Sequence, residues 1–248
     1  MSQTDTVQLR LPGWRGRIGI VQPSPGVMLE YEWPRWLPDE VLFPVARVAM
    51  SSATAAGYRE VVAQAPGAAR ELVRAGAGVV AFACTIGSLF EGAMAERKLV
   101  DRMVEAAGVP ALSLGSTSFE ALRRVGASRV ALLTPYSDEV NGWVAAYVAE
   151  CGLEIAGFIA TPVDIVTVGN LPAEEIAEIA AAGMARLPDA DALWIPCTAI
   201  RTLDAITAVE ERTARPVVSA SQALLWRSLE LLGLAGHGRP CGRLFQTT

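Results

Sequence analysis

Two thiols are the residues of this chain whose placement best suits them to chemistry. Cys84 closes the apolar run GVVAFAC and Cys197 closes DALWIPC; each is followed by Thr and then by a stretch with helical spacing. A cysteine between a strand and a helix faces free backbone amides, which lower a thiol pKa and also bind carboxylates. The amides of Thr85, Ile86 and Gly87, and those of Thr198 and Ala199, are expected at such helix starts. Thiols on both faces of a small carboxylate could take a proton on one side and deliver one on the other, which is racemisation. A thiolate could instead add to an activated double bond while the second thiol protonates the neighbouring carbon, giving cis–trans isomerisation. With only one thiol used as the acid, the same pocket could protonate the carbanion left by loss of CO2. The ordinary fate of a free cysteine is to be a small buried apolar residue; matched positions in two repeats favour function for this pair.

Hydroxyls gather near the same strand ends: Ser24, Thr85, Ser88, Ser116, Tyr136, Thr198, Ser219 and Ser221. Most read as caps and turns. Tyr136, directly after Pro135, is the exception expected to project toward the substrate. Cys151 and Cys241 have no counterpart in the other half and read as structural. No CxxC pair occurs, so a zinc site is a weak reading. The sole histidine, His237, lies in the Gly-rich GLAGHGRPCG and reads as a solvated loop residue. A Ser-His-Asp or Cys-His nucleophile would depend on His237 alone, and a multi-histidine metal site cannot be built. No metal and no cofactor are expected.

The elements that must carry these residues alternate. Strands are predicted at Arg17–Val21, Gly78–Ala83, Ala111–Leu114, Arg129–Leu133, Ala192–Ile195 and Val217–Ser219. Helices are predicted at Tyr58–Ala75, Phe90–Ala107, Phe119–Val125, Ser137–Cys151, Ala173–Leu187 and Ala199–Thr213. That order implies parallel strands with crossover helices. Three units recur in register: RIGIVQPS with RVALLTPYS, GVVAFACT with DALWIPCT, and VPALSLGS with RPVVSASQ. A single match in an Ala/Val-rich chain means little, but three in order point to duplication. The expected fold is α/β, with two similar lobes of mostly parallel sheet related by a pseudo-two-fold and the active site in the cleft between them. Approximate lobe boundaries are 1–115 with 220–248, and 116–219. Ligands of open parallel sheets bind beyond the carboxyl ends of the strands. The Trp- and Pro-rich segment Glu30–Pro44 is expected as a loop or short helix near the cleft, where it could act as a lid, an oligomer contact or plain packing. Trp33 and Trp36, three apart, read as core more readily than as pocket lining.

The 248 residues are 52% hydrophobic and 6% aromatic, as expected of helices packed on a parallel sheet. A net charge of -5 without a basic cluster argues against nucleic acid as a partner. No apolar run reaches the length of a membrane span, and the N-terminal MSQTDTVQLRLPGWRGR lacks the apolar stretch of a signal peptide. A cytoplasmic location and a possible homo-oligomer are the expectations.

The segments IGIVQPSPG (Ile18–Gly26), GVVAFACT (Gly78–Thr85), RVALLTPYSDEVN (Arg129–Asn141), CTAIRTLDAI (Cys197–Ile206) and the closing GRLF (Gly242–Phe245) together resemble the aspartate/glutamate racemase superfamily. Within it the chain is most similar to the branch of arylmalonate decarboxylases and maleate cis–trans isomerases. The resemblance implies that Cys84 and Cys197 match the two catalytic cysteines of racemases and maleate isomerases. In the isomerases the N-terminal cysteine attacks the double bond and the C-terminal one donates the proton. It further implies that Thr85 and Tyr136 match carboxylate-binding hydroxyls, and that Ser24, Pro25 and Gly26 form a wall, with Ile86, Thr198 and Ala199 as further substrate contacts. The chain departs from each relative. Decarboxylases have glycine at the position of Cys84, a hydroxyl at Ile86 and glycines at Thr198 and Ala199. Maleate isomerases have asparagine at Gly26 and another near Ile165, and amino-acid racemases have Cys-Asn-Thr where Cys84-Thr85-Ile86 stands. What this implies is a two-thiol racemase or isomerase of a small carboxylate or dicarboxylate, with arylmalonate-type decarboxylation through Cys197 as the alternative. A non-catalytic carboxylate-binding protein is the third reading.

Overall fold

The structure is a computed structural model that describes residues 12–246; the part of the N-terminal reading that rests on residues 1–11 lies outside it. Two sheets, every strand pair of which is parallel, form the frame. The first holds β1 (Gly16–Pro23), β2 (Val41–Leu42), β3 (Val45–Val48), β4 (Val79–Phe82) and β5 (Ala111–Ser113). The second holds β6 (Arg129–Thr134), β7 (Glu154–Ala160), β8 (Ala192–Ile195) and β9 (Val217–Ser219). In the first sheet β1 is flanked by β2 and β3 and by β4, with β5 beyond β4; the second runs β7-β6-β8-β9. The two orders correspond, β1, β4 and β5 matching β6, β8 and β9 as the repeated sequence motifs predict, with β2 and β3 together at the place of β7. Among the described residues no helix is long and apolar enough to cross a membrane.

The central strands explain their own legibility. VVAF of β4 and ALWI of β8 are buried at every residue, because helices cover both faces of a parallel sheet. Helices α2 (Ala55–Arg74), α3 (Thr85–Leu89), α4 (Ala93–Ala107) and α6 (Asp138–Glu150) enclose one apolar core; α1 (Met28–Glu32), α7 (Ala173–Ala185), α8 (Ile206–Thr213) and α9 (Ala220–Leu231) contribute to the other. Each core draws on both sheets. Ser219 opens α9 with a capping box to Gln222, and Thr54 and Ser137 cap α2 and α6.

The helices that follow β5 and β9 tie the halves together. α5 (Leu114–Arg124) leaves β5 and also packs on β9, whereas α9 leaves β9 and packs on β4, β5 and α5. We propose the lobe division 1–115 with 220–248, and 116–219, for the folded chain; this exchange of α5 and α9 supports it.

Three departures from the expected elements have physical causes. β3 and β7 are edge strands with mixed burial: VARV carries an arginine, and EIAGFIA leaves Phe158 exposed and places Gly157 against Leu187, so neither reads as a buried apolar run. α5 begins five residues before its predicted start; its first turn, LGSTS, is low in helix propensity and is held by packing. The helix expected at Ala199–Thr213 begins only at Ile206, and residues 198–205 form turns and irregular backbone pinned from outside the segment.

Candidate active site

Cys84 is the N-cap of α3, in extended conformation, directly after β4. Its sulfur accepts a hydrogen bond from the Gly87 amide. Gly87 has no room for a side chain: a Cβ there would lie 2.9 Å from the Cys84 sulfur and 3.3 Å from the Phe82 ring. Real Cβ atoms do not approach that closely, so Gly87→Ala should push the thiol from its place. A displacement of this kind can cost up to about 10²-fold in rate. Alkylation and turnover of Gly87→Ala should therefore change together at Cys84; an unaltered Cys84 alkylation rate would refute this.

Cys197 lies at the matching place after β8, but no helix follows directly. Its sulfur accepts from the Tyr136 hydroxyl and from the amides of Ala199 and Ile200, and the Ile200 amide also donates to the Cys197 carbonyl at 3.4 Å. Tyr136 comes from the loop between β6 and α6, where Asn141 donates to the Tyr136 carbonyl and accepts from Thr134. Cys84 and Cys197 are 7% and 4% exposed, so each keeps a small accessible surface. The hydroxyl of Thr85 donates to the Pro196 carbonyl, tying the strand end that carries one thiol to the strand end that carries the other.

The charges of the two thiols are coupled. Burial pushes the Cys84 thiol up to about 12, with a further rise from Cys197, against a smaller opposing effect of the Gly87 amide. Burial also raises Cys197, although Tyr136 and the two turn amides oppose it. Helix-start amides were expected to lower both thiols. The structure corrects this, because one amide from the five-residue α3, or three donors around Cys197, do not offset removal of the sulfur from water. Tyr136 is raised well above the ordinary phenol value by burial and then by Cys197.

Tyr58 is a residue near the two thiols that sequence reading passed over. It is buried on the first turns of α2, and its phenol pKa rises through burial and then through the charges of Cys84 and Cys197, which places it in the field of both thiols. Its ring packs on Phe90 and, edge-on, on Trp143. In the sequence it is one more apolar-spaced position of a helix.

Ser24, Pro25 and Gly26 form the turn after β1, exposed or partly so. Arg47 of the unpredicted β3 donates to the carbonyls of Ser24 and Gly26, and Gln22 also donates to Gly26. Glu30 receives both Arg47 and Gln22, so the turn is braced from β1, β3 and α1. Ile86 is buried, and Thr198 and Ala199 are partly exposed. The segment after β7 closes on the same region: a Cβ on Gly169 would lie 3.0 Å from the end of Met28 and 3.1 Å from the Ala199 carbonyl. Several other hydroxyls are structural. Ser88 bonds the Thr85 carbonyl and the Gly115 amide, Ser116 bonds the Ser113 carbonyl, Ser219 caps α9 and bonds Thr202, and Ser221 bonds Glu32 and Trp33. Trp33 is fully buried beside Phe43, and His237 is exposed. Cys241 is buried with its thiol on the Leu203 carbonyl, and Cys151 ends α6. Among the described residues no group of three or more His, Cys, Asp or Glu is arranged to hold a metal.

Fold and site together define a two-sheet α/β protein with one strand-end thiol from each half and donors aimed at both. The chain belongs to the arylmalonate decarboxylase family, whose pattern it matches over residues 18–245. It is 32% identical to arylmalonate decarboxylase of Bordetella bronchiseptica across 92% of this chain and 95% of that protein. It is also 32% identical to maleate isomerase of Nocardia farcinica, across 90% and 94% of the two chains. A crystal structure of a doubly substituted arylmalonate decarboxylase in its liganded form superposes with a TM-score of 0.87 at 32% identity, covering 94% of this chain and all of that one. A serine variant of the Nocardia farcinica maleate cis–trans isomerase, holding a covalently bound succinylcysteine intermediate, superposes with a TM-score of 0.83 at 26% identity, covering 94% and 99%.

Proposed function

We propose that this protein is a cofactor-independent two-cysteine isomerase acting at the carbon next to a carboxylate, by racemisation or by maleate-type cis–trans isomerisation. The observation that carries the reading is the pair itself: Cys84 and Cys197 occupy equivalent strand ends, each has its own hydrogen-bond donors, and their charges interact. The succinylcysteine in the Nocardia relative supports covalent use of a thiol in this family.

In racemisation the Cys84 thiolate takes the alpha proton on one face, and the electron pair left on carbon delocalises into the carboxylate. The Cys197 S–H then delivers its proton on the opposite face. In the isomerase variant the Cys84 sulfur bonds to one alkene carbon and the electron pair of the double bond takes the Cys197 proton at the other. Rotation about the resulting single bond and reversal of both steps complete the reaction. Carboxylate oxygens gain negative charge in either course. The amides of Thr85 and Ile86, which precede the first hydrogen bond of α3 (Ser88 N–H to the Cys84 carbonyl), are suited to receive that charge, with the Tyr136 hydroxyl and the turn at Thr198–Ala199. Ser24, Pro25, Gly26 and Ile86 supply walls.

A second reading, decarboxylation of an arylmalonate-type diacid, is favoured by the state of Cys197. Burial holds this thiol as S–H, the form a carbanion left by loss of CO2 would need. One experiment separates the readings. Proton NMR in D2O with 2-aryl carboxylic acids, and with maleate, is expected to show alpha deuteration or conversion to fumarate. Neither signal, together with CO2 release from phenylmalonate, would transfer the assignment to the decarboxylase reading.

A further inference from the structure

The turn that aims two amides at Cys197 is held in place from the other half of the molecule. Glu32, the last residue of α1, is fully buried. Its Oε1 accepts from the amides of Thr202 and Leu203, at 2.6 and 2.8 Å, and its Oε2 accepts from the Ser221 hydroxyl at 3.1 Å. Ser221, at the start of α9, is in turn fixed by the Trp33 indole N–H at 3.2 Å. Around this carboxylate the segment 31–35 makes further contacts with the same turn. Arg35 pairs with Asp204 at 2.6 Å, and Arg35 and Arg201 both lie over the Tyr31 ring, 4.5 and 4.9 Å from its centre. The charged and titratable groups near Glu32 are thus Asp204 and Arg201 from the turn, Arg35 from its own segment, and Cys241 from the C-terminal segment.

We propose that Glu32 is a positioning residue for Cys197: it anchors the backbone of Thr202 and Leu203, and so fixes the turn whose Ala199 and Ile200 amides point at the sulfur. Helical propensity would otherwise carry residues 199–205 into α8, as their spacing predicts; the first amides of such a helix stay free of helical bonds but point along its axis, so the turn would no longer set their aim at the sulfur. A buried carboxylate with two amide donors is an expensive cap, retained where an uncharged one would leave the turn free to move. α1 also braces the Ser24–Gly26 turn, since Glu30, two residues earlier, holds Arg47 and Gln22 on it. One short helix therefore holds both turns. This inference takes its functional meaning from the reading of Cys197 as the reacting acid, but its test does not use turnover.

The test is the ratio of iodoacetamide alkylation rates at Cys197 and Cys84, mapped by peptide mass spectrometry in the intact protein, for native, Glu32→Ala and Glu32→Gln. Both thiols are raised above the ordinary range, so between pH 6 and 8 their ionised fractions change in parallel and cancel in the ratio. Burial lifts Glu32 to about 7, so the native ratio should shift across that interval as the carboxylate protonates and its hold on the amides weakens. Glu32→Ala should change the ratio about tenfold at pH 8. Glu32→Gln keeps an acceptor for the amides and should change it less, with the pH dependence gone. A ratio unchanged in Glu32→Ala, an equal change at both thiols, or a native pH dependence that persists in Glu32→Gln would each overturn the proposal. Loss of turnover in Cys197→Ser, or its absence, bears only on the parent reading.

Discussion

Cys197→Ser is expected to lower turnover of the protein's acid substrate by about 10³-fold or more, under either the isomerase or the decarboxylase reading. A serine hydroxyl has nearly the shape of a thiol but holds its proton far more tightly, so it neither donates at a useful rate nor accepts a proton and returns it. The substitution exchanges one small buried group for another that can still meet the Tyr136 hydroxyl and the Ala199 and Ile200 amides. Any change in melting temperature should be small, and the loss is then chemical. Cys84 separates the two readings. If the protein is a two-thiol isomerase, Cys84→Ser and Cys84→Gly should each fall as far as Cys197→Ser in alpha deuteration or fumarate formation. If the reaction is decarboxylation through Cys197 alone, Cys84→Gly should keep releasing CO2 while Cys197→Ser stops. Full activity in Cys197→Ser would remove the basis of both.

The second large effect lies in the pH profile. With the Cys84 thiol at about 12, its ionised fraction between pH 6 and pH 9 grows tenfold per unit. An isomerase that starts from the Cys84 thiolate should therefore gain about 10³-fold in kcat/KM across that range, with a slope near one on a logarithmic plot. Generating the thiolate in this pocket costs about 4 kcal/mol beyond an ordinary thiol, from a rise of about three pKa units at about 1.4 kcal/mol each. A decarboxylase that needs only neutral Cys197 should be flat over the same interval, because no proton has to leave a thiol first. Flat isomerase kinetics, measured with substrate below saturation, would remove thiolate attack by Cys84. The same shift makes a statement about stability. The folded thiol holds its proton above pH 9 whereas the unfolded one loses it, so stability should decline as pH rises from about 9 toward 12. Chemical denaturation at pH 8 and pH 10.5 would show it. Glu32 acts in the same direction in a lower window. Its carboxyl is raised from 4.5 to about 7, so stability should fall as pH rises between those values and level off above them. Glu32→Gln should then melt higher than native protein at pH 8 while holding Cys197 less well.

The sequence by itself determined the two-sheet α/β fold, the duplication and the matched positions of Cys84 and Cys197. It did so because central parallel strands are buried on both faces and read as apolar runs such as VVAF and ALWI, and because a repeated strand–Cys–Thr unit survives as a local pattern. Tyr136 stands directly after Pro135 at a strand end, and its hydroxyl meets the Cys197 sulfur. Edge strands β3 and β7 were not legible, because one face of each mixes polar or exposed residues into the run. Tyr58 was hidden in the ordinary periodicity of α2. Two matters were decided only by tertiary structure. Helix-start amides promised acidic thiols, whereas enclosure of the sulfurs, which depends on every segment packed around them, made desolvation the larger influence. The turn after Cys197 reads as helix from its own residues and departs from helix where Glu32, remote in the chain, accepts its amides. Local sequence encodes propensity and burial pattern, but solvation and long-range hydrogen bonds exist only once the two halves have come together.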